Sequence, residues 1–271
     1  MTNDPMTNDP MTIDDMTGLL TDLTAPVLAA GETIMEIHRR GVVARTKPDG
    51  SPVSEADEAA EAILLAALSD VAPDIPVVSE ENAANHAITP PRAFFLVDPI
   101  DGTREFLRPD GKGAFTVNIG LVIDHRPVFG IVHAPALGRF FAGIVGRGAW
   151  ETSGGATRPI RVREVPEDGP LAVASRSHRD PQTNAWLESH GITNTMSTGS
   201  SVKFGLLAAG EVDVYPRFGP TMEWDTAAGE AVLLAAGGRV AFLDGLDFTY
   251  GKQGFRNTPF IAYAGYTGQQ A

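Results

Sequence analysis

Apolar side chains return at steps of three and four through Leu19, Leu23, Val27, Ala30, Ile34 and Ile37. That period predicts an amphipathic helix with one buried face, and Gly41 is placed to end it. A second helix is predicted to open at Ser54-Glu55-Ala56-Asp57, with Ala60, Ile63, Leu64, Ala67 and Leu68 on its apolar side. Between them Lys47-Pro48-Asp49-Gly50-Ser51-Pro52 reads as a turn-rich loop. The period then shortens. Val77-Val78 and Phe94-Phe95-Leu96-Val97 are strand-like, and three longer β candidates follow at 114–123, 127–134 and 139–145. Turn-like breaks separate them, as in an antiparallel meander. The Gly/Pro-rich segment 146–170 carries no period that assigns it.

Beyond Pro170 the elements mix. A short strand is predicted at 171–174, a helix at 180–190, and a small apolar helix at 202–209 opened by Gly199-Ser200-Ser201. A strand at 212–215 comes next, then a helix at 225–236 stopped by Gly237-Gly238. Strands near 240–243 and 259–264 close the chain. Irregular alternation of this kind predicts a layered α/β (α+β) sandwich rather than a clean βαβ series. Three segments are expected. Residues 1–14, with Met-Thr-Asn-Asp-Pro repeated at Met1 and Met6, form a disordered tail. Residues 15–168 form an N-terminal α+β subdomain, and 169–271 a C-terminal α/β subdomain.

Composition narrows the function. The chain has 271 residues, 43% hydrophobic, enough for a sizeable core. A net charge of −13 argues against a nucleic-acid groove. It leaves a small anionic substrate open, because a bound cation inverts the local field. With no Cys there is no disulfide, zinc-thiolate or Fe–S site. No apolar stretch reaches the ~20 residues of a membrane span, and no apolar signal core opens the chain. A cytoplasmic location is expected, and either a monomer or a homodimer fits.

Candidate chemistry lies in the acids. Asp98-Pro99-Ile100-Asp101-Gly102-Thr103 follows an apolar strand and sets two carboxylates across a Pro-stiffened turn. Both carboxylates and the Ile100 carbonyl can face one point there, a hard-oxygen set suited to Mg²⁺. A plain Asx turn is the simpler reading, and the EF-hand ligand spacing is absent. Glu80-Glu81 end the Val77-Val78 strand and would point to opposite faces. Asp225, read at a helix start, is by itself explained more simply by the helix dipole. Asp57 is explained by a capping box with Ser54, and Thr103 by a helix cap. His38, His86, His125, His133 and His190 show no metal-ligand spacing, and the three Trp read as packing residues.

Taken together, these motifs and Trp224-Asp225-Thr226-Ala227-Ala228-Gly229 resemble the inositol monophosphatase superfamily of Mg²⁺-dependent, Li⁺-sensitive phosphatases. Arg104-Glu105-Phe106, Ala174-Ser175-Arg176-Ser177-His178, Gly199–Phe204 and Tyr215–Trp224 are most similar to the CysQ-type 3′(2′),5′-bisphosphate nucleotidases within it. The resemblance implies an αβαβα sandwich of the sugar/inositol phosphatase type. It implies two or three Mg²⁺ held by Glu80, Asp98, the Ile100 carbonyl, Asp101 and Asp225. Asp57 and Thr103 would orient or deprotonate a metal-activated water, with Glu81 assisting. The substrate would be 3′-phosphoadenosine 5′-phosphate, cleaved to AMP and phosphate. Glu80, Ile100, Asp101, Gly102, Thr103 and Asp225 would surround the departing phosphate. Ser175, His178, Gly199, Ser200, Lys203 and Arg217 would meet the ribose or second phosphate, helped by the helix N-terminus after Ser201. The alternatives are another phosphatase of this fold, acting on inositol 1-phosphate, fructose 1,6-bisphosphate or histidinol phosphate, and a silent metal- or nucleotide-binding module.

Overall fold

A computed structural model describes residues 11–42, 44–46, 52–108, 113–176 and 179–266. Helix α1 (Ile13–Arg40) buries the predicted stripe. Its start is fixed by a reciprocal box in which the Asp15 amide donates to Thr12 Oγ1 and the Thr12 amide to Asp15 Oδ2. Residues 12–14 therefore belong to the helix and its cap, not to the tail; residues 1–10 lie outside the described residues. Gly41, at φ 95°, ends α1. Short strands β1 (Ala44–Thr46) and β2 (Pro52–Ser54) pair antiparallel, and the Ser54/Asp57 box opens α2 (Glu55–Val71). The expected 47–52 loop falls almost wholly outside the described residues.

Next come β3 (Val77–Ser79), a 3-10 turn at Ala83–Ala87, β4 (Ala93–Asp101) and the single-turn α3 (Thr103–Phe106). The meander runs through β5 (Thr116–Ile123), β6 (Arg126–Ala134), β7 (Arg139–Ile144), β8 (Gly148–Ser153) and β9 (Ala156–Ile160). Seven strands, β3 to β9, lie side by side in sequence order, and only the β3–β4 pair is parallel. Segment 146–170 thus supplies the last hairpin, turned by Gly154-Gly155 at φ 58° and 79°.

The rest builds a second sheet. Strand β10 (Ala172–Ser175) is followed by α4 (Pro181–Ser189), β11 (Thr195–Thr198), α5 (Val202–Ala208) and β12 (Val214–Arg217). After β13 (Thr221–Met222) come a 3-10 turn at Glu223–Asp225, α6 (Ala227–Ala235) and β14 (Arg239–Phe242). A 3-10 turn at Gln253–Phe255, β15 (Arg256–Asn257) and β16 (Phe260–Tyr263) end the chain's regular structure. The sheet order is β11-β10-β12-β16-β14.

Phe94 and Leu96 enter the core between the sheets, whereas Phe95 and Val97 enter the core beneath α1 and α2. The continuous apolar run is thus a strand buried on both faces. α6 packs on β5, β6 and β7 and also touches β14, while α4 packs on β12. The layers are helix, sheet, helix, sheet, helix, the expected αβαβα sandwich. No helix among the described residues is long and apolar enough to cross a membrane.

Candidate active site

Glu80 stands in the turn after β3, so the strand argument for opposite-facing Glu80 and Glu81 does not apply. The Glu80 amide donates to the Val97 carbonyl at 3.1 Å, which pins that turn to β4. Pairing of β4 continues past Pro99 rather than ending at Asp98, with an irregularity between Asp98 and Asp101 that lets the chain bulge. There the Ile100 amide donates to Asp98 Oδ1 at 3.0 Å. Gly102, at φ 92°, then swings the chain into α3. Buried Phe106, edge-on to Phe115 at 5.2 Å, anchors that short turn. Asp225 closes a 3-10 turn ahead of α6 instead of standing in the first α-helical turn. Its Oδ2 accepts the Met222 amide at 2.8 Å.

These turns converge on a cleft of about 270 Å³. Glu80, Asp98, Ile100, Asp101 and Asp225 line it, as do Gly102 and Thr103. From the other sheet and its helix come Ser175, Ser200, Lys203 and Arg217. One carboxylate oxygen each from Glu80, Asp98 and Asp225 lies within 4.8 Å of the others. Asp101 stands beside this trio, and its Oδ2 accepts the Ser201 amide. That amide is therefore not left for a phosphate, as the helix-terminus expectation had it.

Asp57, Glu81 and Gly199 do not line the cleft. Asp57 is buried, and its Oδ2 accepts the Ser54 amide and hydroxyl, each at 2.7 Å. Thr103 Oγ1 donates to the Ile100 carbonyl at 3.2 Å. Neither bond is the Asp57–Thr103 pair implied by the resemblance. A Cβ at Gly199 would lie 2.7 Å from Glu105 Cγ and 2.8 Å from the Ala114 carbonyl oxygen. Gly199 thus serves close packing. His178 lies outside the described residues.

Burial and mutual repulsion set the electrostatics. Asp98 is held well above the usual carboxylate range, first by burial and then by Glu80, Asp101, Asp225 and Asp57. Asp225 is raised by burial, then by Asp101 and Glu80. Burial pushes Asp101 up to about 6 against the pull of Lys203 and the Ser201 amide. Lys203 is pushed down to about 8 by burial, opposed by Asp101. Its ammonium lies 5.0 Å from the Tyr215 ring centroid and donates to the Ser200 carbonyl. Arg217 Nη2 donates to the Pro220 carbonyl at 2.9 Å.

Sequence reasoning missed the tie beneath the acids. Ser201 Oγ donates to Asn118 Oδ1 at 2.5 Å and lies 2.7 Å from Thr116 Oγ1, while Asn118 stands opposite Asp98 in the sheet register. One cue was available: Asn118 is a polar residue in an apolar strand. Tyr215, Arg104 and Glu105 also line the cleft without having been singled out as contacts.

The residues present fit a hard cation. All offered ligands are oxygens, and Asp98 Oδ2 is buried with no hydrogen-bond partner among the described residues. A buried carboxylate close to two more acids is costly unless a cation or a proton neutralises it.

A sequence model of the inositol monophosphatase family matches residues 17–267. The 3′(2′),5′-bisphosphate nucleotidase CysQ of Salmonella typhimurium is 42% identical over 236 residues, 85% of this chain and 94% of that protein. The protein of the same name from Escherichia coli K12 is 40% identical over the same shares. Among solved structures, CysQ from Bacteroides thetaiotaomicron superposes with a TM-score of 0.79 at 33% identity, over 92% of this chain and 98% of that one. The inositol monophosphatase from Anabaena gives 0.72 at 25% identity, over 92% and 91%.

Proposed function

Because the chain belongs to the inositol monophosphatase family, we propose that it is a Mg²⁺-dependent 3′(2′),5′-bisphosphate nucleotidase that hydrolyses 3′-phosphoadenosine 5′-phosphate to AMP and phosphate. The observation that carries the metal reading is the close trio Glu80, Asp98 and Asp225, in which Asp98 keeps one buried oxygen, Oδ2, without a hydrogen-bond partner among the described residues. In this reading Glu80, Asp98, the Ile100 carbonyl, Asp101 and Asp225 hold two or three Mg²⁺. When bound, the ions supply positive charge against the phosphate and acidify water.

The chain's own groups bind, orient and move protons. Gly102 and Thr103 present the turn that cradles the scissile phosphate. In this reading Thr103, which lines the cleft, orients the attacking water, and Asp57 and Glu81, which do not line it, act through intervening groups, Asp57 as the final proton acceptor. The Ile100 carbonyl that accepts from Thr103 Oγ1 is itself in the proposed ligand set, and its second lone pair would remain for a cation. Across the cleft, Lys203, Arg217, Ser175 and Ser200 offer two cations and two hydroxyls to the ribose and second phosphate; Gly199, next to Ser200 in the chain, and His178 belong to this reading on the sequence resemblance alone. Two cations at that end suit a substrate with a second anionic group better than a single-phosphate sugar ester.

The test is phosphate release from 3′-phosphoadenosine 5′-phosphate beside inositol 1-phosphate, with and without Mg²⁺ and Li⁺. Strong preference for the nucleotide, dependent on Mg²⁺ and suppressed by Li⁺, is expected. Preference for the inositol ester would overturn the substrate. Activity indifferent to chelation would overturn the metal.

A further inference from the structure

The trio Glu80, Asp98 and Asp225 comes from three separate stretches of chain. Asp98 is fixed by its strand. Glu80 and Asp225 sit on turns, and something must hold those turns at one spacing. His86, on the 3-10 turn Ala83–Ala87, touches both. Its Nε2 lies 2.8 Å from the carbonyl of Ser79, the residue before Glu80. A carbonyl can only accept, so Nε2 carries the hydrogen and donates. The ring stacks on Trp224, the residue before Asp225, with centroids 4.6 Å apart and planes at 27°. Trp224 is buried, and its ring also lies 6.2 Å from that of Phe255. Asn85, beside His86, donates from Nδ2 to the Val77 carbonyl at 2.9 Å, so the 3-10 turn is itself tied to β3.

We infer that His86 is a positioning residue, which locks the Glu80 turn to the Asp225 turn and thereby sets the affinity of the acidic trio for its divalent cation. The inference rests on the metal reading above. The three carboxylates repel one another, and β3–β4 pairing holds the Glu80 turn, so what the His86 tie adds is to keep the Asp225 turn at a fixed spacing from it when no cation is bound. The hydrogen bond fixes the Glu80 end, and the stack fixes the Asp225 end. Residues that orient ligands in this way usually cost roughly 10–100-fold in metal affinity when removed.

Mg²⁺ titration of the substrate-free protein by calorimetry reads this directly. His86→Ala should weaken Mg²⁺ binding by roughly tenfold or more, while KM for the nucleotide at saturating Mg²⁺ stays unchanged. His86→Phe keeps the stack and loses the hydrogen bond, and should fall between wild type and His86→Ala. A control exists at the C-terminal end of α4, where His190 stacks on Trp186 at 4.0 Å and neither residue lines the cleft. His190→Ala should lower Tm and leave Mg²⁺ affinity alone. Mg²⁺ binding by His86→Ala within about threefold of wild type would overturn the inference. If His86→Ala does not fold, the same result in His86→Phe and His86→Gln overturns it. If wild type binds no Mg²⁺, the metal reading falls and this inference with it, an outcome distinct from equal binding by wild type and variant.

Discussion

Asp101 shows how one side chain serves both architecture and chemistry. Its Oδ2 accepts the Ser201 amide, joining the turn after β4 to the start of α5, and its charge faces the cleft. An Asn at this position keeps an oxygen acceptor and loses only the charge. Burial already pushes the carboxyl up to about 6, so removing its charge spares a desolvation cost. Asp101→Asn should therefore lower phosphate release by roughly 10²-fold or more, the scale of losing one preorganised electrostatic group. Its Tm without Mg²⁺ should equal or exceed that of wild type at pH 7. Turnover near wild type would remove Asp101 from the ligand set. The acids were legible because carboxylates after apolar strands are unusual. His86 was not: in the sequence it is one of five histidines without metal-ligand spacing. Its role lies in two contacts, to Ser79 and Trp224, that sequence spacing does not encode.

Among the elements, α6 decides where Asp225 stands. Gly120, Gly130 and Gly143 face one another across β5, β6 and β7. Together they form a flat lane, and the Ala-rich face of α6 lies in it. A Cβ at Gly120 would come 2.7 Å from the Ala228 amide nitrogen, and one at Gly143 would come 2.6 Å from Val232 Cα. At Gly130 a Cβ would overlap the Ala228 carbonyl oxygen. The obstacle is helix backbone, which cannot swing aside as a side chain does. Gly130→Val should cost about 1–3 kcal/mol by overpacking, read by chemical denaturation. Because the 3-10 turn that carries Asp225 leads directly into α6, Mg²⁺ affinity should fall with stability. A stable variant with normal affinity would show that α6 is not held by this lane. Both long helices were readable from period and caps, since each buries one stripe. The Asp225 helix was displaced by two residues in the reading, because Trp224-Asp225 form a 3-10 turn that precedes the apolar run. The 146–170 hairpin was missed although Gly154-Gly155 is a hairpin signal. Its second strand is exposed at four of five positions, so no apolar alternation announces it.

At the scale of the whole molecule, a chain of net charge −13 concentrates buried acids where two sheets meet. Without a cation this arrangement couples stability to pH. Asp98 and Asp225 are raised well above the carboxylate value of 3.8, and Asp101 is raised to about 6. A carboxyl whose folded pKa is raised binds more protons folded than unfolded. Its stability is fully present below about pH 4 and is lost as pH rises through the folded value. Chelated protein should therefore lose Tm from pH 5 to pH 8. Mg²⁺ competes with those protons, so its stabilisation should be small at pH 5 and large at pH 8. At one hundred times Kd, binding contributes about 2.7 kcal/mol, roughly 5–10 °C for a domain of this size. Glu230 supplies an internal check. It is buried on α6, accepts the Tyr250 hydroxyl at 2.6 Å, and burial pushes it up to about 8. It is not among the offered ligands, so its share of the pH slope should survive saturating Mg²⁺ and vanish in Glu230→Gln. Thermal melts at pH 5, 6.5 and 8, with EDTA or Mg²⁺, separate the two. A Tm gain from Mg²⁺ as large at pH 5 as at pH 8 would mean that the cation does not bind at the buried acids.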